Sequence, residues 1–383
     1  LTTMANEQIP ITPELVTWAR VRAGLSVAEA AQKFPRIEEW ENAKSFPTYP
    51  QLEAMADAFK LPVAVFFFPR PPAVPPIAET FRTLPEIEFE RLPSAIRLLL
   101  RKAKALQLNL AEMTQGQNPA RRLITRDLAL DLERPVAELA AEVRAYLGVS
   151  IEQQQGWPDD DAALKGWRDT LQAAGIFVFK DAFRYEEFSG FCLYDDVFPI
   201  IYVNNSSSKT RQMFTLFHEL AHLLFHTSGI DTVHDEFIAN IDDGEKQAIE
   251  VRCNAFAAAF LVPEAAFDQA VKARAASEAL AEEIAARFHV SREVIFRRLF
   301  DRGQVTRAAY AEAAARWAAQ QKKAGKGGDY YWTKLTYLGR EYVSLALRQY
   351  HRNLIDEEQL GEYLDTKPRN LQTLEDYFAE GRA

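Results

Sequence analysis

The segment Arg211–His226 holds three of the chain's six histidines, arranged as His218-Glu219-x-x-His222 with His226 four residues further on. Four residues along a helix is about 40° past one full turn, so His218 and His222 project from one face. Their imidazoles can share one zinc ion at about 2.0–2.1 Å. Glu219 lies about 100° round from His218, beside the metal rather than on it. A carboxylate placed there can take a proton from metal-activated water and pass it to a leaving amine. The same helix carries Phe214, Leu216, Phe217, Leu220, Ala221, Leu223, Leu224 and Phe225, so it is apolar nearly all round and expected to be buried. Two histidines and a glutamate in such a helix need partners, because unpaired polar burial is costly. A metal supplies that partner; a core helix with incidental histidines does not.

A catalytic zinc takes a third protein ligand and keeps one position open for water. His226 lies eight residues, about 12 Å of rise, beyond His218. A third histidine returns to the metal when a glycine breaks the helix. No glycine lies between His222 and His226, and Gly229 comes after them. His226 is therefore read as a group that caps or hydrogen-bonds near the helix end. Glu250 is the better candidate. It opens the apolar helical run Glu250-Val251-Arg252-Cys253-Asn254-Ala255-Phe256-Ala257. Glu250 and Asn254, at i and i+4, share a face. That pairs a ligand with an amide able to hold a metal-bound histidine from outside. The acids between the two helices (Asp231, Glu236, Asp242, Asp243 and Glu245) stay open as alternatives. So does the reading that Glu250 merely answers the dipole at a helix start. Cys253 reads as core. The expectation is one zinc per chain, favoured over manganese or iron by the ligand types.

The elements that must position these groups can be read from hydrophobic period. Ile176–Phe179, Gly190–Tyr194 and Ile200–Val203 are short β-prone runs just before the histidine helix. They predict a small sheet, antiparallel because the links are short. Helical segments fill Ser94–Gly148 and Ala162–Ala174 before it. Ala248–Leu261, Glu278–Phe288, Arg292–Phe300 and Thr306–Gln321 are helical after it. Lys322–Gly328 reads as a flexible linker. The last 55 residues read as a small helical appendix, with Tyr337, Tyr342 and Tyr350 at helical spacing. At the other end, Thr12-Pro13-Glu14 is a helix start, Ser26–Glu29 a capping box after the Gly24 break, and Gln51–Phe59 a further amphipathic helix. Short helices in that rhythm suit a helix-turn-helix bundle. The Pro-rich run Pro69–Pro76 closes it as a stiff connector. The fold class is α+β, mostly helical.

Length and composition agree. A chain of 383 residues, 48% hydrophobic and 26% charged, has the length of two or three domains with real cores. Its 45 basic and 54 acidic residues leave −9, which argues against non-specific coating of nucleic acid. No run approaches the ~18 apolar residues of a membrane span, and no N-terminal segment reads as a signal peptide. Only Cys192 and Cys253 occur, with no CxxC spacing. That excludes a disulfide framework and a cysteine zinc site, and makes a reducing cytoplasm the expectation.

These residues carry a resemblance. Tyr202-Val203-Asn204, Arg211 to His222, Glu250-x-x-x-Asn254-x-Phe256-Ala257 and Leu261-Val262-Pro263 together resemble the IrrE/ImmA family of zinc metallopeptidases. Trp18-Ala19-Arg20-x-x-Ala23-Gly24-Leu25-Ser26, with Trp40-Glu41, Pro47-Thr48 and Pro62-x-x-x-Phe66-Phe67, resembles the XRE-type helix-turn-helix often fused before that peptidase. Phe81-Arg82-Thr83-Leu84-Pro85 fits the joint. The resemblance implies a helix-turn-helix domain at 9–70, a zincin-like peptidase domain at 77–305 and a C-terminal helical appendix at 329–383. It implies His218, His222 and Glu250 as ligands, Glu219 as the base, and cleavage of a helix-turn-helix repressor as the regulatory act. In zincins a substrate strand pairs with a sheet edge beside the metal helix; here Ile200–Asn204, with Tyr202 and Asn204, is the expected wall. The alternative reading is an XRE-type DNA-binding regulator whose peptidase-like domain senses a metal or ligand. From Ile9 to Arg70, seven basic residues (Arg20, Arg22, Lys33, Arg36, Lys44, Lys60, Arg70) meet seven acids (Glu14, Glu29, Glu38, Glu39, Glu41, Glu53, Asp57). A net charge of zero is poor for a DNA reader, which draws most of its affinity from Lys and Arg on phosphates. That favours a protein partner for the module. A homo-oligomer is left open.

Overall fold

A computed structural model describes residues 8–23, 25–59, 61–71, 92–183, 185, 187–226, 230–232, 244–320 and 328–381. The Gly24 break, most of the Pro-rich connector, the Phe81–Pro85 joint and the expected linker at 322–327 lie outside the described residues. The chain forms two compact units, Leu1–Lys102 and Ala103–Ala383. Among the described residues no helix is long and apolar enough to cross a membrane.

In the first unit, α1 (Pro13–Arg22), α2 (Val27–Lys33), α3 (Ile37–Glu41) and α4 (Tyr49–Phe59) are followed by a 3-10 turn at Val63–Phe67. Ser26 and Glu29 form the reciprocal capping box that starts α2. Val16, Ala19, Ile37, Trp40, Leu52, Met55, Phe59 and Phe66 pack into one core. Glu41 does not face outward. Its carboxylate is 2.5 Å from the Arg20 guanidinium, both side chains are largely buried, and Arg20 Nη1 also donates to Leu25 O at 2.8 Å. This pair is an internal strut between α1 and α3.

The second unit begins within α5 (Ser94–Met113). It continues through α6 (Ile124–Asp127), α7 (Val136–Leu147), α8 (Ile151–Gln155) and α9 (Asp160–Ala173) to β1 (Phe177–Asp181), β2 (Phe188–Leu193) and β3 (Ile200–Asn204). Then come the histidine helix α10 (Lys209–Leu224), β4 (Ile230–Thr232) and α11 (Gly244–Leu261). After these follow α12 (Glu264–Val271), α13 (Glu278–Phe288), α14 (Arg292–Asp301) and α15 (Arg307–Gln320). The C-terminal helices α16 (Tyr330–Leu338), α17 (Arg340–His351), α18 (Glu357–Tyr363) and α19 (Leu371–Ala379) lie in this same unit.

The four strands run in the order β1-β3-β2-β4. The sheet is mixed, which corrects the antiparallel expectation. Short links do reverse the chain at each step, so β2 opposes β1 and β3 opposes β2. But β3 returns between its two predecessors, so it pairs antiparallel with β2 and parallel with β1. Link length sets direction, not neighbour.

The front face of the sheet, with Val178, Cys192, Ile201 and Val203, shares one core with α7, α9, α10, α11 and the helices after them. Phe217 of α10 stacks on Phe260 of α11 at 4.0 Å, and Trp167 of α9 closes edge-on at 4.8 Å. On β2, Gly190 lets α10 press on the sheet. A Cβ there would sit 2.5 Å from Thr215 Cγ2 and 2.8 Å from Tyr202 O. Thr215 is seven residues before His222, nearly the same helix face, so this contact sets the depth of the histidine-bearing face. Ser208 caps the helix, accepting from Arg211 N, and Arg211 Nε donates to Ser189 Oγ at 2.9 Å.

Lys180 of β1 is buried, and its amine is pushed down to about 6, first by burial and then by Arg168 and Lys209, with Asp161 opposing. The unfolded chain, with an ordinary lysine near 10.4, binds more protons between those two values. Stability should therefore rise with pH across that window and level off below about 6. Urea midpoints at pH 6.5 and 9 should show the rise in the native chain, and Lys180→Met should flatten it.

Candidate metal centre

His218 and His222 sit on consecutive turns of α10, both buried. Their Nε2 atoms are 3.1 Å apart. Across from them, Glu250 on α11 places Oε2 at 3.2 Å from His218 Nε2 and Oε1 at 3.0 Å from His222 Nε2. All the candidate ligand atoms of these three residues lie within 4.8 Å of one another. Tetrahedral ligands at 2.0–2.1 Å from a zinc ion stand about 3.3 Å apart. The three side chains are therefore already spaced for one such ion.

Asn254 lies one turn after Glu250, and its Oδ1 is 2.9 Å from His218 Nδ1. Oδ1 only accepts, so Nδ1 carries the proton and Nε2 keeps its lone pair for a cation. Burial by itself raises the Glu250 carboxyl. The charge interaction with His222 and the close approach of both imidazoles overcome that and hold it well below the usual carboxylate range. An anionic carboxylate facing two imidazole nitrogens is a ligand set that a divalent metal can take. Glu219 is fully buried on the same helix as the two histidines.

Other residues fall elsewhere. His226 closes the helix end with a positive φ of 58°. Its Nδ1 is 3.1 Å from Tyr194 Oη and its ring stacks on that of Tyr194 at 4.9 Å, outside the ligand cluster. Tyr194, its partner, carried no signal in the sequence. Cys253 is buried in the core. The alternative acids lie outside the described residues or have side chains that do. His289 pairs with Asp160 and His351 with Glu375. His234 is outside the described residues.

Tyr202 and Asn204 are a correction. Their strand, β3, is flanked by β1 and β2 along its length, so its backbone groups are already paired and it cannot take a substrate strand. Both side chains are buried. The Tyr202 ring stacks on Phe191 at 5.0 Å, and its hydroxyl faces Asp181 Oδ2 at 3.4 Å. Asn204 is a strut: Oδ1 accepts from Phe183 N and Ser206 N, and Nδ2 donates to Phe188 O. Gly190, which sequence reading passed over, had a usable signal: a glycine inside a strand run often marks a close approach.

Residues 171–300 match the family model described as Peptidase_M78, the IrrE N-terminal-like domain. The matched stretch contains the four strands, the histidine helix and Glu250, and it points to a peptidase of the metallopeptidase type. The helices of the first unit and α15 to α19 lie outside it. Among curated proteins, none matches the chain.

The centre should bind about one divalent ion per chain. His222→Ala should abolish binding and Asn254→Ala should weaken it roughly 10–100-fold. Metal at 100 times its Kd should add about 2.7 kcal/mol to stability, which a chelator removes. Elemental analysis with thermal melts before and after chelation checks all three.

Proposed function

We propose that this chain is a zinc-dependent endopeptidase that regulates transcription by cutting a helix-turn-helix repressor. The observation that carries the reading is the convergence of His218, His222 and Glu250 with a buried glutamate, Glu219, next to the first ligand in the chain. Bound there, zinc supplies Lewis acidity for the scissile carbonyl and for the attacking water. His218 and His222 present Nε2, and Glu250 contributes the carboxylate that completes the three-residue set. Asn254 fixes the tautomer and plane of His218. Glu219 accepts the proton of the attacking water and returns it to the departing amine. A pure metal sensor has no use for that base.

The first unit fits the role of a protein-contacting XRE-like module better than that of a DNA reader. Setting aside the internal Arg20–Glu41 pair leaves six bases against six acids between Ile9 and Arg70, so net charge stays at zero. Its α3 has only the five residues Ile37–Glu41 to offer a groove. The DNA-binding reading rests on the succession of α2 and α3 across three residues. It requires duplex affinity that falls steeply with salt. Both cysteines are buried and neither is in a disulfide, which suits a reducing cytoplasm.

Glu219→Gln should keep the metal and lose about 10²–10⁴-fold in turnover. Used as a trap, it should retain the repressor substrate, identified by mass spectrometry. Undiminished cleavage by this variant would remove Glu219 from the mechanism. Tight, sequence-specific duplex binding with no proteolysis would favour the sensor reading.

A further inference from the structure

Among the described residues β1 is an edge strand. Its parallel ladder with β3 includes Phe177 N donating to Pro199 O and Asp181 O accepting from Asn205 N. Alternate residues of a parallel strand face the same neighbour. Phe177, Phe179 and Asp181 therefore turn their backbone groups to β3, and Val178 and Lys180 turn theirs outward. Such a row is a template on which another chain can pair.

One group of that row, the Val178 carbonyl, is occupied from within. Arg168 of α9 donates to Val178 O through Nε at 3.0 Å and Nη2 at 2.5 Å. The same guanidinium donates Nη1 to Thr336 O at 2.6 Å and Nη2 to Tyr337 O at 3.3 Å. These carbonyls belong to the last turn of α16, where helix carbonyls lack intrahelical partners. One buried side chain thus binds α9, β1 and α16 together. Gly339, at the turn into α17, has φ +84°, and a Cβ on it would stand 2.5 Å from Arg168 Nη2.

Beyond the turn, α17 covers the back of the sheet. The fully buried Tyr342 packs edge-on against Phe179 at 5.2 Å. Its hydroxyl accepts from Asn109 Nδ2 and donates to Tyr363 O, both at 3.1 Å. Gln349 Nε2 donates to Met113 O at 2.5 Å, tying α17 to the end of α5. Phe179, Phe191 and Tyr202, the aromatic back face, are buried under this layer. The family match ends at residue 300, so the matched sheet takes its rear cover from helices outside the match.

We propose that residues 329–381 are the intramolecular partner of the sheet, sealing its β1 edge and back face through the Arg168 latch. The inference does not depend on the peptidase reading. It assigns the C-terminal helices a specific task, occupation of an edge that would otherwise pair with other chains.

Hydrogen–deuterium exchange on the full-length chain, comparing wild type with Arg168→Met, Gly339→Ala and the milder Tyr342→Phe, tests this. The expected result is faster exchange, at least about tenfold for the first two variants, in 176–181 and in 330–381 together. The α13–α14 segment at 278–301 should exchange as in wild type. Tyr342→Phe should give the same pattern at smaller amplitude. Three outcomes would overturn the proposal: opening of 330–381 with 176–181 unchanged, which makes the helices a dispensable tail; no change in either segment; or uniform acceleration that includes 278–301, which makes Arg168 a general core residue and not a latch. Metal content of the same samples reports separately on the proposed centre.

Discussion

The structure turns on one burial problem. Two imidazoles and a carboxylate meet in the interior of an otherwise apolar helix pair, at 3.0 to 3.2 Å from one another. Without a cation, these groups can satisfy each other only by carrying protons between them; with one, each becomes a ligand. The packing around the cluster holds its three side chains in register. The Phe217–Phe260 stack fixes the spacing of α10 and α11. Asn254 orients the His218 ring. Gly190 sets how closely the histidine helix approaches the sheet. Packed interiors transmit such constraints because they have little free volume to absorb a shift.

The sheet that backs this helix is small, and a small sheet has two faces and two edges to protect. Its front is covered by the helices that carry the site. Its rear and its β1 edge meet helices from the far end of the chain. The site and the C-terminal helices thus lie on opposite sides of the same four strands. The polypeptide between them, α12 to α15, adds to the front core without taking part in either.

Much of the site was legible in the sequence because a helix has a fixed period. The shared face of His218 and His222 follows from spacing alone, as does that of Glu250 and Asn254. His226 was also readable: with no glycine to break the helix before it, it could not turn back to the histidines, and it pairs with Tyr194 instead. The sheet was less legible. Three strand runs were visible, but the placing of β3 between β1 and β2 depends on which neighbour buries more, a comparison that no local window contains. Tyr202 and Asn204 were misplaced for that reason. An interior strand and an edge strand can have the same sequence pattern, and only the pairing of their backbone groups tells them apart.

The charge of the first unit shows the same division. Its net of zero is a property of composition, and no fold could alter it. That Glu41 spends its charge on Arg20 inside the core, rather than on a surface, was decided by the packing of α1 against α3. The sequence by itself determined the paired histidines of the candidate metal centre, the apolar helix that must bury them and the helical character of most of the chain, because these depend on residue types at short, periodic separations. The tertiary structure alone decided that Glu250 meets the two histidines among several acids in reach, that β3 is enclosed, and that a glycine and an arginine 171 positions apart lock the C-terminal helices to the sheet. Those outcomes depend on distances between segments far apart in the chain, which are set only when the whole core packs.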